Sequence, residues 1–139
     1  MGKVMVAARI ENQNDLALVD QGLRAPGQLR AVEVSNALVD TGATLLSLPG
    51  KLVRELGLTE QRRRTARTTA GTTTFRICGP VRLTVQDRQC IVEVAEIADD
   101  CPVLIGQVPL ELLDFVVDPC SQRLIGNPEH GGEQMIEVF

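Results

Sequence analysis

The stretch Ala37-Leu38-Val39-Asp40-Thr41-Gly42-Ala43-Thr44, ALVDTGAT in one-letter code, decides how the rest of the chain is read. Its three leading apolar residues predict the end of a buried strand. Asp40 stands where that strand stops. Thr41-Gly42-Ala43 predicts a tight turn, in which Gly42 is free to adopt backbone conformations that a Cβ forbids. Main-chain N–H groups of such a turn, together with Thr44, can hydrogen-bond a carboxylate and fix its plane. The small residues that follow let another chain or a substrate approach closely. The expected product is a carboxylate held rigidly at the floor of a groove. A near copy, ALVDQG from Ala17 to Gly22, offers a second aspartate, Asp20. There a bulky Gln21 replaces the threonine and Leu23 replaces the small residue, so Asp20 is expected to have a structural or surface role.

Working outward, short apolar runs recur between turn signals. They are Val4–Ile10, Leu16–Val19, Leu29–Val34, Ala37–Val39, Thr72–Ile77, Val81–Val85, Cys90–Ile97, Val103–Ile105 and Phe115–Val117. All read as strands, punctuated by Gly22, Pro26-Gly27, Gly42, Gly71, Gly79-Pro80 and Asp99-Asp100. Val81-Arg82-Leu83-Thr84-Val85 alternates apolar and polar, and with Ile91–Val94 it predicts a hairpin turning at residues 86–88. Two short helices interrupt the strands. One runs from Gly50 to Leu56 with Leu52, Val53 and Leu56 on one face, and Gly57 closes it in the left-handed conformation. The other opens at Pro109 and carries Leu110, Leu112 and Leu113. The fold class is mostly β with two minor helices, in a small closed barrel or a sandwich.

Composition supports this and narrows the function. The 139 residues suit one domain, read as residues 1–139 with an extended N-terminal region (1–28) and a C-terminal tail (120–139). There is no Trp, no Tyr and only 3 Phe, so Val, Leu, Ile and Ala must fill the core. A net charge of −4 argues against nucleic acid as a partner, because binding phosphates needs a basic surface. The one basic cluster, Arg62, Arg63, Arg64 and Arg67, reads as a solvated strand or loop with a lesser role in steering substrate. The N-terminal apolar run is too short for a signal core or a membrane span, and Val6 breaks the myristoylation pattern that Met1-Gly2 begins. The expectation is a soluble cytoplasmic protein without membrane contact. Cys78, Cys90, Cys101 and Cys120 form no C-x-x-C pair, and the only histidine is His130. No metal and no cofactor is expected, the cysteines are expected to be free and buried, and His130, in the polar stretch NPEHGGE, is expected to be exposed.

Apolar-apolar-Asp-Thr-Gly-Ala resembles the active-site signature of aspartic proteases. The second signature of that family, an apolar pair before a glycine and then a short helix, is matched by Val103-Leu104-Ile105-Gly106 with Pro109–Leu113 after it. Between the two lies TARTTAGTTTF, Thr65 to Phe75, where the family has a hairpin flap. The order and spacing resemble the retropepsin-like (retroviral-type) members, from Leu29 to Pro119. The resemblance implies a small closed acid-protease barrel, half of the pepsin fold, working as a C2 homodimer on a peptide or protein substrate. Asp40 is then the catalytic carboxylate, with a second Asp40 supplied by the partner, because this chain has only one such motif. Thr41, Gly42, Ala43 and Thr44 support it, and Thr41 side chains bond across the dimer. Thr69, Ala70, Gly71, Thr72 and Thr73 form the flap over the substrate, and Leu104, Ile105 and Gly106 form the floor. Phe115–Val117 or Met135–Phe139 are expected to contribute to the dimer. An aspartate at a strand end is on its own most often a turn-former, so the alternative is a dimeric peptide-binding or interaction module of the same fold that cleaves little.

Overall fold

A computed structural model describes residues 3–138. The Met1-Gly2 start and the last residue, Phe139, lie outside the described residues. Successive side chains of a strand point to opposite faces, so a strand with one face on the core alternates between buried and exposed. β5 (Gly71–Val85) is the longest and points Ile77, Val81, Leu83 and Val85 inward. β6 (Arg88–Ile97) returns antiparallel beside it, with Leu83 opposite Cys90 and Cys78 opposite Val94, as the expected hairpin. A register shift between Cys78 and Val81 joins into one strand what the sequence suggests as two.

The remaining strands close a ring. β1 (Met5–Asn12) pairs with β2 (Ala31–Val39) on one side and with β5 on the other. Ile10 of β1 thereby faces both Val32 and Leu83. β2 runs parallel to β7 (Leu104–Ile105), which pairs antiparallel with β3 (Leu46–Pro49), and β3 runs parallel to β6. The order is therefore β1-β2-β7-β3-β6-β5 and back to β1, with β4 (Thr59–Thr68) added outside β5. Ile10, Leu46, Leu48, Leu83, Val94 and Ile105 fill the inside and are 0% exposed. Each contributes about 1.5–3 kcal/mol by leaving water, which lets an almost purely aliphatic core hold the ring.

Several elements differ from the sequence reading. Leu16–Val19 is helical, within α1 (Gln13–Asp20). Asn12 caps this helix by accepting the Asp15 N–H at 3.0 Å, and Asp15 is buried against Arg24 and Arg30. A four-residue apolar run cannot distinguish strand from helix; the cap settles it. α2 (Gly50–Glu55) is followed by Gly57 at φ +64°, as expected. α3 spans Gln107–Leu113 and begins before Pro109. Proline is tolerated there because a first-turn N–H has no partner within its helix. Among the described residues the α-helices are thus three rather than two. β3 and β9 (Arg123–Gly126), which pairs with β8 (Phe115–Asp118), are strands that the sequence reading lacked, whereas β4 takes in the basic cluster read as strand or loop and the first arm of the expected flap hairpin.

All four cysteines are free. Cys78 and Cys90 are buried as expected, whereas Cys101 is half-buried and Cys120 is exposed, both in loops. His130 is not exposed: its side chain retains 14% of its accessible area, and Nδ1 lies 2.6 Å from Asp114 and Nε2 3.2 Å from Glu137. Asp114 also accepts the Met135 N–H at 3.0 Å, so these bonds fasten the C-terminal tail to the corner after α3. Among the described residues no helix is long and apolar enough to cross a membrane.

Candidate active site

Asp40 sits where β2 leaves the ring. The main chain leading into it is pinned to the neighbouring segment: the Leu38 N–H donates to Val103 O at 2.8 Å and the Asp40 N–H to Ile105 O at 3.0 Å. Immediately beyond, the Ala43 N–H donates to Asp40 O at 3.1 Å and closes the turn. Within it the Gly42 N–H donates to Asp40 Oδ1 at 3.0 Å, so one carboxylate oxygen is fixed by the backbone. A Cβ at position 42 would come 3.2 Å from that oxygen, and glycine removes the crowding. Thr44 is exposed, and it contributes its main-chain carbonyl, not its hydroxyl, by accepting the Val108 N–H at 2.9 Å.

The second motif braces the first. Gly106 N–H donates to Leu45 O at 3.1 Å, and Gln107 N–H to Ala43 O at 2.8 Å. The free N–H groups at the start of α3 therefore find their acceptors in the carbonyls of the aspartate turn. Gly106 is buried, and a Cβ on it would fall 2.5 Å from Leu45 O and 2.7 Å from Ala43 O. Only glycine lets the two segments lie this close.

Asp40 opens into a groove of about 580 Å³. Asp40, Gly42, Ala43, Thr44 and Leu104 line it together with an apolar wall of Phe75, Ile77, Ala95 and Ile97, and Leu104, Ser47, Ala95 and Ile77 follow one another across β7, β3, β6 and β5. The outer strand β4 borders it from Arg64 to Thr68. Of the expected floor residues, Leu104 reaches the groove while Ile105 and Gly106 are buried beneath it. Thr69–Thr73 occupy the tip of the β4–β5 hairpin, where the Thr68 hydroxyl donates to Gly71 O at 2.8 Å, and they do not line the groove of a single protomer. Thr41, Gly42 and Thr44 are exposed and Asp40 is half-buried.

Comparison with known families matches the aspartyl protease profile over residues 25–107, more than half of the chain. The chain belongs to the aspartyl protease family. The match is of the retropepsin-like kind, whose members act on peptides and usually dimerise. It spans both motifs and the hairpin between them, and supports a peptide hydrolase. It leaves out β1 and α1, although β1 closes the ring in this chain. Among curated proteins none matches.

Asp20, the other candidate carboxylate, is exposed at the last residue of α1 and borders a separate surface cavity with Arg82 and Cys90. His130 lies outside the groove, in the fastening of the tail. The sequence reading missed Ser47, Phe75, Ile77, Ala95 and Ile97 as groove residues. Their shared signal is position on one pleat: Phe75 and Ile77 alternate along β5, and Ala95 sits opposite both Ile77 and Ser47.

Proposed function

We propose that this aspartyl protease is an endopeptidase whose working form is a C2 homodimer with one Asp40 from each protomer. The reading is supported above all by the Asp40 carboxylate itself: it is held by the Gly42 N–H at the mouth of a groove, and it belongs to the chain's single Asp-Thr-Gly motif. Thr41 and Gly42 beside it are exposed in the protomer, leaving a face that a two-fold axis can bring against itself. Two carboxyl groups a few ångströms apart do not both ionise, so they share one proton, an effect for which aspartic proteases are the standard example. The ionised member takes a proton from a water molecule as its oxygen attacks the peptide carbonyl carbon. The protonated member hydrogen-bonds to the carbonyl oxygen, and a proton then passes to the leaving nitrogen as the C–N bond breaks. Thr41 side chains bond across the axis and hold the two turns in register. Apolar substrate side chains lie against Phe75, Ile77 and Leu104, and the hairpin tip, Thr69–Thr73, closes over the peptide in strand fashion.

Peptide cleavage from acid to neutral pH tests this. The wild type cuts, and Asp40→Asn loses at least about a thousandfold in kcat. In mixed dimers, protomers carrying Asp40→Asn silence the wild-type copies they pair with. Equal peptide binding by both proteins with cleavage by neither would replace the enzyme with the binding module.

A further inference from the structure

Resting on that reading of the groove, we propose that Arg64 is a specificity-determining residue that selects substrates with an acidic side chain near the scissile bond. In the β4–β5 register Arg64 stands opposite Phe75, and Arg62 opposite Ile77. Partners directly opposite in an antiparallel pair share a face. Phe75 and Ile77 form the groove wall, so Arg64 projects from β4 on the groove side.

The neighbouring arginines are already neutralised. Arg62 pairs with Glu93 at 2.5 Å, on the same face. On the reverse face Arg63 and Arg76 stand opposite each other, Arg63 pairing with Glu60 at 3.3 Å, and Arg76 with Glu60 at 2.7 Å and Glu96 at 2.8 Å. Among the described residues Arg64 joins no ion pair, and neither does Arg67, which borders the groove nearer the hairpin tip. The charged residues lining the groove are Asp40, Arg64 and Arg67, so its border is cationic in a chain of net charge −4. In the dimer the two aspartates share a proton, and the excess of positive charge grows. A planar guanidinium beside an aromatic ring and aliphatic side chains suits a carboxylate, which it grips through two parallel hydrogen bonds that strengthen as water leaves the groove. A lysine at the same substrate position meets like charge.

The test uses pairs of fluorogenic peptides with one apolar core, Glu or Gln being placed in turn at each position flanking the scissile bond. At one or more positions the wild type prefers Glu by about tenfold in kcat/KM. In Arg64→Gln that preference falls to near unity, and Arg64→Glu shifts the preference to Lys. Arg63→Gln, on the reverse face, retains the wild-type preference. Equal cleavage of Glu and Gln peptides at every position, or a preference that survives Arg64→Gln, overturns the proposal. If the wild type cuts nothing, the endopeptidase reading fails separately. The same labelled pairs then decide by anisotropy: tighter Glu binding that is lost in Arg64→Gln supports the role of Arg64, and equal or absent binding overturns it.

Discussion

An alanine at position 106 has nowhere to put its methyl group. Its Cβ would stand 2.5 Å from Leu45 O, 2.7 Å from Ala43 O and 2.8 Å from Ala43 C. All three are main-chain atoms, so no side-chain rotation relieves the overlap. The backbone at this position has φ −89°, which alanine accepts, so the cost is steric alone. Forcing a methyl group into a filled site costs about 1–3 kcal/mol. Unfolding entropy near about 2.1 cal/mol/K per residue makes 1 kcal/mol worth about 3–4 °C in a chain of 139 residues. Gly106→Ala should therefore lower Tm by about 3–10 °C in thermal unfolding at fixed protein concentration. Gly27→Ala is the matched control: it has no atoms within 4 Å and no positive φ, and should leave Tm unchanged or slightly raised. A Gly106→Ala protein melting within about a degree of wild type would refute the claim that this contact braces the aspartate turn.

The tail fastening titrates. Hydrogen bonding to Asp114, and then to Glu137, raises the His130 pKa, while the His130 bond lowers that of Asp114. The histidine's contribution is complete below its ordinary value of about 6.5 and is lost as pH rises through its raised one. The aspartate's contribution is present above about 3.9 and is lost as pH falls through its lowered one. Hydrogen exchange, corrected for intrinsic rates, should show residues 133–138 best protected at mildly acidic pH, and His130→Ala should abolish that maximum. Asp15, held by Arg30 and lowered to about 2, should stabilise the fold above about pH 3.9 and lose that contribution as pH falls towards 2. Asp15→Ala should cost on the order of 2–4 kcal/mol in urea unfolding at neutral pH, because it leaves Arg30 beside a partnerless site. Thiol labelling at pH 8 should modify Cys120 first and Cys101 next. Cys78 and Cys90 should react only on unfolding, since burial raises both thiols and pushes Cys90 up to about 11.

The parts of the fold that the sequence announces are those set by near neighbours. Gly57 ends α2, and the alternation from Val81 to Val85 gives the hairpin into β6, because both depend on a few adjacent residues. β4 is legible only in part: Thr59–Thr68 contains a single apolar residue, Ala66, so its basic cluster reads equally as strand or loop, and the segment is a strand because β5 runs beside it. Closure as such is expected, but the strands that close the ring are not legible, since β1 meets β5 across more than half of the chain and nothing local in either strand marks the other. The candidate site divides in the same way. The Asp40 turn is written in consecutive residues, whereas the wall of Phe75, Ile77 and Ala95 exists only through strand register. The brace at Gly106 is visible as a motif, but its reason, the closeness of Ala43 and Leu45, appears only in three dimensions.

In the large sheet, among the described residues, β4 alone has one neighbour, so its outer backbone is a ready template for another molecule's strand. Glu60, Arg62, Arg63, Arg64 and Arg67 stud that strand and are all exposed. Two copies meeting there would set several cations against one another, a penalty that discourages endless stacking into fibrils. The charge on β4 thus guards the one open border of the large sheet against self-association.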